Sequence, residues 1–379
     1  MVEIIEVKSK RDIKDFINFP LKLYKNCPYF VPALYGDEKK LLMGGGNTRD
    51  YESVFYLAKK DGAVFGRIQG ILHKQHNELR NEKRVRFTRF DSVDDKEVSN
   101  ALFEAVEKWA ISKGMEQICG PLGYSDLDRE GLLIWGFSEN STYEEQYNYE
   151  YYPTLVESFG FEKEVDWLEF ELTPPEKKNE MLARVAKRAL EINKLHIAST
   201  DMSKKRFIEK YANSLFDTID ICYSKLYGTM PITPEERKKL IGDFYMVLNV
   251  KQLVFICNDK DEVVAFGLAF PAFGDALKKS GGRLTPLTIL KLLKTLKKPK
   301  AIDLGLVGIR PEYQNSGLVA VIIQGMLDFF EKDGIEKCET NLNLETNTGI
   351  ISQWKYFNSR NHKRRRAYIK NIDKEKYNA

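Results

Sequence analysis

The chain of 379 residues carries 59 Lys and Arg against 55 Asp and Glu, a net charge of +4, with 43% hydrophobic and 30% charged residues. This is the composition of a folded protein with ample core and length for two domains, and its charge is too small for a general nucleic-acid binder. The five cysteines (27, 119, 222, 257 and 338) are scattered without a CxxC pair, no apolar run nears the roughly 20 residues of a membrane span, and Met1–Asp12 lacks a signal-peptide pattern, so a cytoplasmic protein with reduced thiols is expected.

Residues 54–71 (VFYLAKKDGAVFGRIQGI) form two β-rich runs around a charged turn, which predicts a hairpin whose second strand carries Phe65-Gly66. KWAISKGMEQICGP (108–121) predicts an amphipathic helix stopping at Gly114 and feeding a short strand. A segment rich in Tyr, Glu and Asn follows (roughly 122–150), then a helix end and strands over 156–172. Thr173-Pro174-Pro175-Glu176-Lys177-Lys178 breaks the pattern, because Pro-Pro ends a strand. Beyond it the spacing predicts a helix at 179–192, a strand at 194–200, helices near 203–224 and 233–246, and a second hairpin at 253–270 carrying Phe266-Gly267. A lysine-rich amphipathic helix is expected within 285–300, then an apolar strand to Ile309, a turn Arg310–Tyr313, a helix to Gly334, a short strand, and a helix end with strands over 355–371.

The second half therefore restates the first. Gly66 corresponds to Gly267 at an offset of 201, and Gly114 to Gly334 at an offset of 220; the extra 19 residues match an added segment near 277–299. Two α/β domains are expected, 1–173 and 179–379. Only the second contains a strand–turn–glycine–helix of the kind that holds phosphate, in AIDLGLVGIRPEYQNSGLVAVII (301–323): a glycine-bearing turn at a helix start offers free N–H groups at the positive end of the helix dipole. A buried strand and the first turn of a helix would read the same way.

With these residues in view, the order of elements resembles the GCN5-related N-acetyltransferase (GNAT) superfamily, whose signature Gln/Arg-x-x-Gly-x-Gly/Ala corresponds to Gln314, Asn315, Ser316, Gly317, Leu318 and Val319; Gly160-Phe161 before a strand resembles another family trait. The resemblance implies an α/β fold of two acyl-coenzyme A N-acyltransferase-like units in tandem, each a mixed, mostly antiparallel sheet flanked by helices. It implies acetyl- or longer acyl-coenzyme A as donor, no metal, and direct attack by an amine. Val307, Gly308 and Ile309 would offer backbone to the pantetheine arm, the signature residues would bind the pyrophosphate, and Asn347 would stand near the donor. A glutamate of the histone-acetyltransferase branch matches Asp303, making it the candidate base. On the next strand and loop the alternating Asn341, Asn343, Glu345 and Asn347 line one face that orients donor or acceptor, or else form a loop's helix cap, for which Asn347 is well suited. Val319 stands where the signature has Gly or Ala, and Trp354 where many members have a tyrosine. In the first domain the matching turn, Asp91–Glu97, has four carboxylates and no glycine, which repels a pyrophosphate.

Other features read more plainly. Ile289, Leu290, Leu293 and Leu296 share one helix face and Lys291, Lys294 and Lys298 another, an ordinary core-packed helix by expectation; peripheral membrane contact through 285–300 is the alternative. Lys363-Arg364-Arg365-Arg366 is expected to be a solvated strand edge. His73 and His76 lack the neighbours of a metal site. The Tyr-rich segment 143–152 either lines an acceptor pocket or anchors its loop. The acceptor is expected to be a small-molecule or lipid amine; a non-catalytic acyl-coenzyme A or lipid binder and an aminoacyl-tRNA-dependent transferase are the competing functions.

Overall fold

The computed structural model describes residues 1–44, 46–48, 50–177 and 179–377; Lys178 of the expected joint lies outside the described residues. The first half runs β1 (Glu3–Glu6), α1 (Lys10–Leu23), α2 (Tyr35–Met43), β2 (Tyr51–Lys60), β3 (Ala63–His73), α3 (Lys74–Arg80), β4 (Arg84–Ser92), α4 (Lys96–Ser112), β5 (Gln117–Gly120), β6 (Leu132–Trp135), α5 (Tyr152–Ser158) and β7 (Glu162–Thr173). The second runs α6 (Glu180–Asn193), β8 (His196–Ile197), α7 (Lys204–Tyr223), α8 (Pro234–Tyr245), β9 (Leu253–Cys257), β10 (Val263–Pro271), α9 (Gly274–Lys278), α10 (Pro286–Lys297), β11 (Ala301–Ile309), α11 (Leu318–Asp333), β12 (Lys337–Thr340), β13 (Asn343–Leu344), α12 (Thr348–Ile351) and β14 (Asn358–Asn371). Helix starts follow local chemistry: Ser9 with Asp12 and Thr233 with Glu236 form capping boxes on α1 and α8. The strand expected at 194–200 contracts to His196–Ile197.

Two compact units result, neither continuous in sequence. Unit 1 comprises Met1–Leu168, Gly274–Ile289 and His362–Ala379; unit 2 comprises Glu169–Phe273 and Leu290–Asn361. In unit 1 the strand order is β1-β2-β3-β4-β5-β14, antiparallel except for the parallel β4–β5 pair, with β6 also on β14. In unit 2 it is β8-β9-β10-β11-β12, then the end of β7, again antiparallel except for β11–β12. The antiparallel hairpins with one parallel step are the sheet of the expected fold. Phe87, Phe90, Phe103 and Val106 centre the core of unit 1. Unit 2 has a core on each sheet face, one built on α6 and α11 around Ile302, Leu304, Leu318 and Ile322, the other on α7 around Phe207, Phe255 and Phe266. Among the described residues no helix is long and apolar enough to cross a membrane.

Two expectations are corrected. The face of α10 expected in the core is exposed: Ile289 is 43%, Leu290 65% and Leu293 50% accessible. The helix instead turns in Thr288 together with the half-buried Leu292, Thr295 and Leu296, so only Leu296 of the predicted stripe is covered. The basic run is not a solvated edge either. Strand alternation sends Lys363 and Arg365 inward, where both reach Glu145 (2.6 and 3.4 Å) with side chains fully buried, while Arg364 and Arg366 pair with Asp166 (3.0 and 2.8 Å).

Candidate functional site: a forked strand and a helix start in unit 2

β11 is the element on which the site is built. It pairs in parallel with β12 from Ala301–Lys337 to Leu304–Thr340 and no further, so its second half leaves β12. Asn341 sits in the fork, donating its N–H to Leu304 O (3.1 Å) and its side-chain amide to Gly305 O (3.5 Å). On the other side β11 stays paired with β10, but the register slips between Gly267–Val307 and Ala269–Leu304, so β11 carries one extra residue. The bulge reverses strand parity. Before it, Ile302 and Leu304 enter the α6–α11 core; after it, Leu306 lies against the α7 core and Val307 and Ile309 against the α6–α11 core.

Backbone direction reverses with it. Arg310 N–H donates to Val264 O (2.9 Å), so Gly308, two residues earlier, also faces β10, while Val307 and Ile309 face the open fork. Of the three residues expected to meet a pantetheine arm, Gly308 is therefore committed to the sheet. Its lack of a side chain serves packing: a Cβ there would stand 2.7 Å from the Phe266 ring and 3.1 Å from Cys222 Sγ. Val307 meets a group the sequence did not suggest. The Tyr223 hydroxyl, at the end of α7, donates to Val307 O (3.0 Å) and accepts from Val307 N–H (3.2 Å).

The strand leads into a one-turn 3-10 helix (Pro311–Tyr313) and then α11. Asn315 and Gly317 take positive φ (+63° and +85°), the region glycine occupies without cost. Among the described residues no acceptor is found for the N–H groups of Asn315, Gly317, Leu318 and Val319, so four donors point outward at the positive end of a 16-residue helix. Gln314 and Asn315 are exposed, and the Ser316 hydroxyl turns back onto Tyr313 O (2.5 Å). Val319 packs against the unit 2 core, as does Leu318, which keeps both side chains out of the turn. A Cβ on Gly317 would stand 3.1 Å from Ala189 Cβ of α6.

Asp303 is buried on β11, paired in register with Phe270 of β10 and Glu339 of β12. Ile302, Leu304 and Cys338 point to the α6–α11 core, so Asp303 and Glu339 share the opposite face, and both carboxylates push the Cys338 thiol up after burial has done so. Glu169 brings a carboxylate oxygen within 4.8 Å of Glu339. Asn343 is buried and braces its own turn, donating to Thr340 Oγ1 (3.0 Å) and Asn341 O (2.7 Å); Asn347 caps α12 by accepting from Ile350 N–H (3.4 Å). Glu345 is half-buried in the same loop. Trp354 is buried in the core, and Tyr356 packs beside it.

Unit 1 repeats the fork. β4 pairs with β5 only from Arg84–Gln117 to Arg86–Cys119, and the same slip of register occurs against β3, between Arg67–Asp91 and Gln69–Thr88. Here the open edge is filled by the Tyr-rich segment: the Tyr152 hydroxyl accepts from Ser92 N–H (3.1 Å), the Tyr151 hydroxyl donates to Ser92 O (2.7 Å), and Gln146 donates to Phe90 O (3.3 Å). Tyr147, Tyr149, Tyr151 and Tyr152 all join the core of unit 1, so the segment anchors its loop. Asp95 caps α4 itself, and Lys60 reaches Asp95 and Glu97 (2.7 and 2.8 Å), so carboxylates already hold this helix start. In the bulge Arg89 (φ +47°) makes a forked pair with Glu38 (2.7–3.1 Å); burial alone would raise the Glu38 carboxyl, but Arg89 and Arg67 hold it at about 2.

No family model matches the sequence. The chain is 28% identical over 371 residues to the protein YghO of Escherichia coli strain K12, covering 96% of this chain and 94% of that one. It is 26% identical over 321 residues to the bacterial ceramide synthase of Caulobacter vibrioides, covering 83% and 82%. Among solved structures it is similar to a tandem GNAT protein from the clavulanic acid biosynthesis pathway (TM-score 0.58, 10% identity, 98% of this chain and 99% of that one) and to a GCN5-related N-acetyltransferase from Sphaerobacter thermophilus (TM-score 0.52, 10% identity, 98% and 96%). The chain has the GNAT fold in its tandem form. Its duplicated halves, each with a bulged and forked fourth strand, are that fold met twice.

Proposed function

We propose that the chain is an N-acyltransferase in which unit 2 holds an acyl-coenzyme A donor and an amine attacks the thioester directly. The observation that carries this reading is the continuity of the edge that β12 leaves at Val307 and Ile309, covered at Val307 by the Tyr223 hydroxyl alone, with the N–H groups of Asn315, Gly317, Leu318 and Val319, for which no acceptor is found among the described residues. An extended pantetheine arm needs the first and a pyrophosphate needs the second. In the reaction the amine nitrogen forms a bond to the thioester carbonyl carbon, the carbon–sulfur bond breaks, the amine proton leaves to a base, and the thiolate takes a proton. Asp303, and beside it Glu339, are the carboxylates on β11 and β12 that we assign to the amine proton.

The acceptor we propose is a long-chain amine. The relative from Caulobacter is named a ceramide synthase, ceramide being a long-chain amino alcohol acylated on nitrogen, and it matches 83% of this chain. The test is to incubate purified protein with short- and long-chain acyl-coenzyme A and with long-chain and short amines, reading amide by mass spectrometry and released thiol by a colorimetric assay. Amide formation lost in Asp303→Asn with donor affinity kept supports the reading. Donor binding without amide from any amine would instead leave a binding protein, and no donor binding at all would remove the acyl-coenzyme A reading.

A further inference from the structure

The loop before α10 and the helix itself carry a feature that acyl transfer does not use. Leu284 (56% accessible), Leu287 (64%), Ile289 (43%), Leu290 (65%) and Leu293 (50%) are five large apolar side chains exposed within ten residues. Scattered exposed leucines need no explanation, but a contiguous group of this kind marks an interaction surface. The helix is not loose, since it buries Thr288 and half-buries Leu292, Thr295 and Leu296. At about 100° per residue, Ile289, Leu293 and Leu290 form a band roughly 100° wide on the outer side, and Lys294, Lys298 and Lys291 follow along one flank. Lys297 emerges at the C-terminal end of the band, where its long stem can lie along apolar surface with the ammonium outside.

Charge selects the occupant. From Ser280 to Ile302 there is no Asp or Glu. The ion pairs near the segment are those of Lys278 with Asp275 (2.8 Å) and Lys300 with Glu336 (2.6 Å); among the described residues none involves Lys291, Lys294, Lys297 or Lys298. A second copy docked through the same face would set lysine against lysine, because a two-fold contact uses one patch twice. An acidic surface that also accepts apolar side chains meets both requirements. With 12 residues the helix is only about 18 Å long, far short of a bilayer core, so it fits the interface and not a span.

We propose that α10 and the loop before it form a docking surface for an anionic lipid bilayer, with Leu287, Ile289, Leu290 and Leu293 entering the headgroup boundary and the lysines meeting lipid phosphates. Docking of this kind needs no turnover, so it stands or falls separately from acyl transfer. The full chain should sediment with vesicles of one part phosphatidylglycerol to two parts phosphatidylcholine, and much less with phosphatidylcholine alone or at high salt. The triple change Leu287→Gln, Leu290→Gln, Leu293→Gln should weaken vesicle binding more than tenfold, and Lys291→Gln with Lys294→Gln and Lys298→Gln should remove its salt sensitivity. Both variants should melt where the parent does. Equal or absent binding to the two vesicle types would overturn the proposal. So would a lowered melting temperature in the leucine variant, which returns the face to the core, or a concentration-dependent dimer lost in that variant, which gives the face to a second copy.

Discussion

The Tyr223 hydroxyl occupies both backbone groups of Val307, donating to its carbonyl at 3.0 Å and accepting from its N–H at 3.2 Å. The chain end of α7 is fixed for this by Thr229, whose hydroxyl donates to Tyr223 O (2.7 Å). In unit 1 the corresponding edge residue, Ser92, is covered on both groups by two tyrosines. One unit thus closes its fork with a core-embedded segment, the other with a single side chain on a helix end.

A donor that uses the Val307 backbone must displace that hydroxyl. Tyr223→Phe is therefore expected to tighten acyl-coenzyme A binding by about three- to tenfold, the weight of one net hydrogen bond of roughly 0.5–1.5 kcal/mol, with an unchanged melting temperature. Calorimetry on parent and variant reads this directly. Equal affinities would mean that the donor does not touch Val307.

Gly317 is held at φ +85° with Ala189 Cβ close by, so Gly317→Ala brings left-handed strain of about 1–2 kcal/mol together with crowding of the turn. Coenzyme A affinity should fall about tenfold or more, since the backbone must come close to phosphate. Asp95→Asn in unit 1 should leave it untouched. A melting curve separates the two effects: if the whole loss of binding tracks unfolding, the turn is structural only.

For catalysis, Asp303→Asn should keep donor affinity and lower turnover, most at the acid end of a profile from about pH 6 to about pH 9, where more of the amine is protonated and needs a base. Glu339→Gln is the companion variant. Full activity of Asp303→Asn throughout, with loss in Glu339→Gln, would move the base from β11 to β12.

His73 and His76 make a pH prediction. Burial, then the nearby charge of Arg86, lowers both to about 3; Arg84 and Arg80 add to the effect at His76, and Glu82 at 3.6 Å opposes it there. A depressed imidazole means that the unfolded chain binds more protons between the ordinary value of about 6.5 and the folded value, so stability should decline as pH falls below about 6.5. His73→Asn with His76→Asn should flatten the dependence of the melting temperature over that range. An unchanged slope would assign the acid sensitivity to carboxylates.

Much of this architecture was open to reading from the chain. The hairpins, the paired glycines at helix ends, the helices of the second half and the turn at Gln314–Val319 all rest on local patterns that the structure reproduces. What escaped depends on events that have no local pattern. One additional residue in β11 decides whether Val307 or Gly308 faces the fork, and nothing in GLVGI announces it. Tyr223 lies 84 residues before Val307 on a helix of ordinary amphipathic spacing. Glu339 and Glu169 look like the polar half of alternating strands, and only the sheet shows that the polar half is buried. Lys363 and Arg365 misled for the same reason: a basic run is solvated unless a carboxylate such as Glu145 waits inside.

Unit 1 also sets an order on synthesis. β5 pairs through Gln117–Gly120 with Asn371–Tyr368, and β6 with Arg364–Arg366, residues made more than two hundred positions later. A ribosome adding roughly 5–20 residues per second leaves the first-made unit with an unpaired strand edge for the time needed to add some two hundred more. Over that interval the nascent half displays Ile118 and Cys119 on a strand awaiting a partner, the kind of edge that invites pairing with another chain. A chain stopped anywhere before β14 is therefore a candidate for chaperone capture, and the first domain closes only once β14 has left the ribosome.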